Sequence, residues 1–149
     1  MMKNILVAID FTGTVNELID AARDLGRHYK AKVWLVHVAP PMPEFIGYEV
    51  GPKYIRDHRA KELREEHRQL QHWAEVLDKS DIDTEALLVE GPTVDTLLEE
   101  AIKLDADLIV IATRKHGFLY EQFIGSTFKE VAARTTVPLF VVPIHEKPA

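Results

Sequence analysis

Asp10 closes the apolar run Ile5–Ile9, so its carboxylate sits at the end of a strand, able to accept from a ribose hydroxyl or to help hold a Mg2+ ion. On local sequence alone it could equally cap the turn Phe11–Thr14 through an Asx bond. A second concentration of chemistry lies between Asp107 and Pro143, DLIVIATRKHGFLYEQFIGSTFKEVAARTTVPLFVVP. Here a strand runs into Arg114, Lys115 and His116, cations placed where phosphates would lie. Gly125-Ser126-Thr127 then opens an amphipathic run, with Thr127 and Glu130 at the spacing of a capping box. The unpaired N–H groups of such a first turn favour an anion, most often phosphate. The plainer alternatives are a turn and cap at Gly-Ser and a solubilising surface loop at Arg-Lys-His.

Other chemistries find less support. No Walker loop GxxxxGK[ST], dinucleotide fingerprint GxGxxG or hydrolase elbow GxSxG is present. His58, His67 and His72 are nine and five residues apart on a charged helix, which does not stack imidazoles on one face, so they read as solvated. His37, inside an apolar strand, reads as a satisfied core or strand-end residue. Zero cysteines exclude disulfides, thiolate catalysis and Cys-ligated metal, and fit a reducing compartment.

The elements that must position these groups follow from periodicity. Ile5–Ile9, Lys32–Val38, Asp83–Glu90, Asp107–Ala112 and Pro138–Val142 are strands, and the first and fourth are apolar without alternation, as strands covered on both faces are. Between them, Val15 to Tyr29, Lys53 to Lys79, Val94 to Leu104 and 126–135 carry helical spacing, and Thr14 with Glu17 forms a second capping-box pattern. On the long second helix Leu63, Leu70 and Leu77 recur every seven residues, with Asp57/Lys61 and Glu75/Lys79 as i,i+4 pairs. This alternation predicts one α/β domain over 1–149: a three-layer sandwich with a five-stranded, mostly parallel, doubly wound Rossmann-like sheet and four helices. Ligands of such sheets bind outside the carboxyl ends of the strands, where the strand order reverses. The segment 39–52 holds four prolines and two glycines yet also Phe45, Ile46, Tyr48 and Val50, so it reads as a lid or a contact surface.

With 149 residues, 46% hydrophobic content and a formal charge of −6, the chain can bury a sizeable core and is not a general binder of nucleic acid or membrane surfaces. Its N-terminal apolar run is too short for a signal peptide or membrane span, so a cytoplasmic location is expected.

Taken together, ILVAID before a helix, KVWLVHV, GPTVDTLLEEA, ADLIVIATR and GSTFKEVAARTTVPLFVV, in that order, resemble the universal stress proteins, small α/β domains of which some bind adenine nucleotides and others do not. The resemblance covers essentially the whole chain. It implies nucleotide contacts from Ala8 and Asp10 at the end of the first strand, and from the backbone of Val38, after the second-strand histidine, to the adenine. The family's phosphate motif GxxGx9G[ST] maps its last two positions onto Gly125 and Ser126, but its first two glycines fall on Ala112 and Lys115. A Cβ at a left-handed backbone position costs about 1–2 kcal/mol, comparable to the roughly 1.5–3 kcal/mol of a charge-assisted hydrogen bond from Arg114 or Lys115.

The resemblance therefore implies a regulatory or signalling module that binds ATP or another adenine nucleotide, with Mg2+ reaching Asp10 only through the nucleotide, and with altered phosphate contacts. The alternative is a nucleotide-independent dimeric interaction protein with a vestigial pocket, using Phe118, Tyr120 and Phe123 on the loop 113–124 as a surface for a protein partner. Slow ATP hydrolysis is the most enzymatic activity the residues support. The last strand, 137–143 within TTVPLFVVP (135–143), is expected at a sheet edge, where it joins a second copy into a homodimer.

Overall fold

The computed structural model describes residues 1–11, 15–41, 53–115 and 127–145, with the backbone alone for Tyr54, Arg114, Lys115 and His145. Its strands are β1 (Asn4–Ala8), β2 (Lys32–Ala39), β3 (Thr84–Glu90), β4 (Leu108–Lys115) and β5 (Leu139–His145). The helices are α1 (Asn16–Tyr29), α2 (Lys53–Asp78), α3 (Thr93–Lys103) and α4, residues 127–134. All five strands are parallel, in the order β3-β2-β1-β4-β5.

The unalternating run of β1 is explained by its central place. Ile5, Val7 and Ile9 face one layer and Leu6 the other, and all are buried. The first layer is α1 and α2, packed through Leu18, Ile19, Ala22, Leu70, Ala74 and Leu77. The second is α3 and α4, packed through Val94, Leu97, Ala101 and Val131. Burying each such aliphatic side chain contributes about 1.5–3 kcal/mol. At Gly26 the first helix comes so near the sheet that a Cβ would stand 3.0 Å from Ile82 Cγ2 and 3.1 Å from Val33 Cγ2.

Helix α2 uses its apolar stripe unevenly. Leu70, Ala74 and Leu77 are buried, whereas Leu63 is only partly covered. On this helix Glu65 pairs with Arg68 at 2.6 Å, and Glu62 lies 2.7 Å from His58 Nε2 and 3.9 Å from Arg59 Nη1. Among the described residues, the expected pairs Asp57/Lys61 and Glu75/Lys79 do not close, because the four-residue spacing permits a pair without imposing one against solvent. At the start of helix α1, Val15 stands at the N-cap position without a side-chain cap bond, and Thr14, the expected cap, lies outside the described residues. At the start of α4 the capping box does not form as expected either, since Glu130 Oε1 accepts from Arg134 Nη1 at 3.1 Å, one turn toward the C-terminus.

The strands β4 and β5 run further than their apolar cores. β4 continues through Thr113, Arg114 and Lys115, which pair with Pro143, Ile144 and His145 of β5. Arg114 and Lys115 therefore end a strand and do not begin the loop expected from 113. Polar residues hide the extension in the sequence, but a neighbouring backbone ladder supplies hydrogen bonds whatever the side chains are.

Candidate functional site

The strand order reverses between β1 and β4, so the carboxyl ends of these two strands open the crevice in which sheets of this kind hold ligands. Register fixes what lines it. Ala8 pairs with Val36 and Val7 with Val110, which puts Asp10 level with Val38 and Ile9 level with Ala112, two residues further along each strand. With neighbouring strands about 4.8 Å apart, the backbones of Ala8, Asp10, Val38 and Ala112 lie together at three strand ends, Ala8 and Val38 packing on the α3–α4 layer and Ala112 on the α1–α2 layer. Val38 is buried, and Ala8, Asp10 and Ala112 are half-buried. Thr127, the first residue of α4, is exposed. Gly125, Ser126, His116, the aromatic residues Phe118, Tyr120 and Phe123, and the Pro-rich segment from 42 to 52 lie outside the described residues.

Ala112 corrects the expected cost of losing a motif glycine. It lies in β4, paired with Val142, and is not among the described non-glycine residues with positive φ, which are Lys30, Asp81 and Asp105. The left-handed penalty does not arise at this position. What remains of the substitution is the bulk of one methyl group.

Behind the patch stands a polar cluster that the search for motifs did not assemble. His37 is 9% exposed; its Nδ1 lies 2.7 Å from the carbonyl oxygen of Ile9, and its Nε2 lies 2.7 Å from Glu66 Oε2 on α2. The ring of Phe11 packs against it, centroids 4.7 Å apart. Two turns earlier on α2 Arg59 donates through Nη2 to the carbonyl of Pro40, so α2 is tied twice to the exit of β2. The reading of His37 as a satisfied strand-end residue holds. A signal for its partner was present: Glu66 falls three residues after Leu63 and four before Leu70, an acid on an otherwise apolar stripe, and such an acid needs a buried partner. The third exit is tied as well, because Gly91 N–H donates to Ala39 carbonyl at 3.0 Å.

A competing concavity of about 590 Å³ lies at the opposite end of the sheet, lined by Lys3, Arg27, Lys30 and Lys32 together with Asp81 and Asp83. Its cations are already answered. The C-terminal ends of α1 and α2, with their negative dipole ends, converge there, and Lys32 pairs with Glu85 at 2.9 Å while lying over the ring of Trp34. The basic lining offsets those charges and makes a poor anion site. For a metal, no group of three or more His, Cys, Asp or Glu side chains comes together among the described residues. No helix among the described residues is long and apolar enough to cross a membrane.

The fold coincides with that of a known family. Residues 1–143 match the model of the universal stress protein family. The chain belongs to that family. A universal stress protein of Thermus aquaticus, from the 3' region of a QAH/OAS sulfhydrylase, is 29% identical over 145 residues, covering 95% of this chain and 99% of the relative. Among solved universal stress proteins, one from Burkholderia pseudomallei superposes with a TM-score of 0.72 at 24% identity, over 96% of this chain and 97% of the other. One from Archaeoglobus fulgidus in complex with dAMP gives 0.63 at 20% identity, over 93% and 96%. Another, in complex with cAMP, gives 0.65 at 19% identity, over 95% and 97%. In this universal stress protein fold the strand-end patch and the His37 cluster lie at the same end of the sheet.

Proposed function

We propose that this universal stress protein is a regulatory module that binds an adenine nucleotide at the crevice between β1 and β4. The observation that carries the reading is the register that sets Asp10, Val38 and Ala112 side by side at three strand ends. Asp10 accepts from the ribose hydroxyls and the Val38 backbone meets the base edge, while Ala112 adds only one methyl group beside the sugar and phosphates. Lys115, at the end of β4, and Gly125-Ser126-Thr127, entering α4, supply the phosphate contacts, with Mg2+ brought by the phosphates. The complexes of similar proteins with dAMP and cAMP support the choice of adenine. Denaturing the purified protein and chromatographing the supernatant tests it: ATP, ADP or AMP at near-stoichiometric yield is expected. An empty protein that also gives no heat with ATP, ADP or AMP would leave the nucleotide-independent interaction protein.

The module acts as a homodimer through β5. This strand is the sheet edge, with Phe140 and Val141 41% and 39% exposed. Because Pro138 carbonyl accepts from Ile109 N–H, alternation turns the N–H groups of Leu139 and Val141 to the free side, where Pro143 has none. Two unpaired donors beside two exposed apolar side chains fit a second copy of the same edge. Val141→Pro removes one outer donor and leaves the β4 ladder intact, so sedimentation should show a folded monomer; a dimer of unchanged affinity would place the interface elsewhere.

A further inference from the structure

We infer that His37 is a positioning residue: its ring holds the Ile9–Asp10 peptide against the exit of β2, and thereby sets the separation of the two backbone segments that would receive ribose and base. The ligand part of this inference rests on the nucleotide reading; the geometric part stands on the cluster itself.

Strand β1 ends at Ala8, and its last backbone bond to β2 is Ile9 N–H to Val36 carbonyl at 2.8 Å. One step further His37 Nδ1 takes over, 2.7 Å from the Ile9 carbonyl. A carbonyl oxygen only accepts, so Nδ1 carries the hydrogen and donates it. A side chain thus adds one more rung to the β1–β2 ladder, at the peptide that leads into Asp10. His37 is also the residue just before Val38, so any shift of the ring moves both walls of the crevice.

The ring is held from its far side. Nε2 stands 2.7 Å from Glu66 Oε2, an oxygen that is buried and has no aligned hydrogen-bond donor. Phe11 covers the ring, and Arg59 anchors α2 to Pro40, keeping Glu66 in reach. An apolar pair of the same volume would fill this space without desolvating a carboxylate. An apolar pair could not grip the Ile9 carbonyl.

The two isosteres of histidine separate these contacts. In His37→Asn the amide nitrogen occupies the place of Nδ1 and keeps the donor to Ile9, whereas in His37→Gln it occupies the place of Nε2 and keeps only the side toward Glu66. ATP affinity by calorimetry should stay within about threefold of wild type in His37→Asn and fall about tenfold or more in His37→Gln, the loss expected for one buried hydrogen bond. Amide exchange over residues 9–11, followed by mass spectrometry on the protein without nucleotide, should accelerate in His37→Gln and not in His37→Asn. Equal exchange in both variants and wild type overturns the positioning role, as does equal ATP affinity. If wild type takes up no ATP the nucleotide reading fails, and the exchange experiment still decides the role of His37.

Discussion

The two ends of the sheet are built to different rules. At the amino ends of the strands the returns from helix to strand are short, and three of them turn on a non-glycine residue in the left-handed region: Lys30 (φ 51°), Asp81 (φ 64°) and Asp105 (φ 51°). Their N–H groups cap the helices, as in the bond from Lys30 to Arg27 carbonyl. Asp107 closes that end by accepting from the N–H groups of Lys3 and Asn4 at 2.8 and 3.0 Å through one oxygen. At the carboxyl ends the ties run between strand exits and α2, through His37, Glu66, Arg59 and Gly91, and surround the crevice. The amino end fixes the register of the strands; the carboxyl end uses that register to place chemistry. Substitutions at the first should change stability and spare binding, and substitutions at the second should do the reverse, with Gly91 the informative exception.

Gly91 is expected to give the largest effect. It has φ 155°, and a Cβ would stand 2.2 Å from Thr96 Oγ1, so the turn into α3 must shift to admit any side chain. Gly91→Ala should lower unfolding free energy by about 2–3 kcal/mol in urea titration, the cost of overpacking at a fixed turn. A change below the scatter of the measurement would show that this exit is free to move.

Asp107→Ala comes next, with an expected loss of about 1.5–3 kcal/mol because two backbone donors lose a charged acceptor, and with nucleotide affinity unchanged. Those same two donors hold the Asp107 carboxyl below its usual range, Lys3 N–H contributing most and Asn4 N–H second, with burial opposing. A depressed folded value stabilises the fold above the unfolded value and is lost as pH falls through the folded one. Wild type should therefore lose stability more steeply than Asp107→Ala on the acid side of the carboxylate range. Parallel acid-denaturation curves for the two proteins would remove Asp107 from the account of the amino end.

At the other end, Asp10→Ala should weaken ATP about tenfold, equivalent to one charged hydrogen bond. Calorimetric titration reads it, and an affinity equal to wild type would take Asp10 out of the site. The smallest effect is a gain: Lys30→Gly relieves a left-handed side-chain position and should stabilise the fold by about 1 kcal/mol without altering binding. A loss of stability there would mean that the Lys30 side chain does more than occupy a turn.

Much of this division was legible in the chain. Apolar runs without alternation marked β1 and β4 as strands covered on both faces, the doubly wound sheet put Asp10 at a ligand-binding strand end, and the family resemblance pointed to Val38 at the end of β2. The limits of β4 and β5 were not legible. Arg114 and Lys115 look like loop, and only the distant Pro143-Ile144-His145 turns them into a ladder. Nor did the sequence give the conformation at Ala112, which decides whether a motif glycine is missed: strand pairing keeps it out of the left-handed region. Glu66 was the readable clue left unused.

Assigned amide resonances followed during an ATP titration test the central claim most directly. The account predicts shifts concentrated at Ala8 to Phe11, Val38 to Ala39 and Ala112 to Thr113, with the amino-end groove at Arg27, Lys30 and Asp81 unmoved. Shifts confined to that groove, or none at saturating ATP, would contradict it.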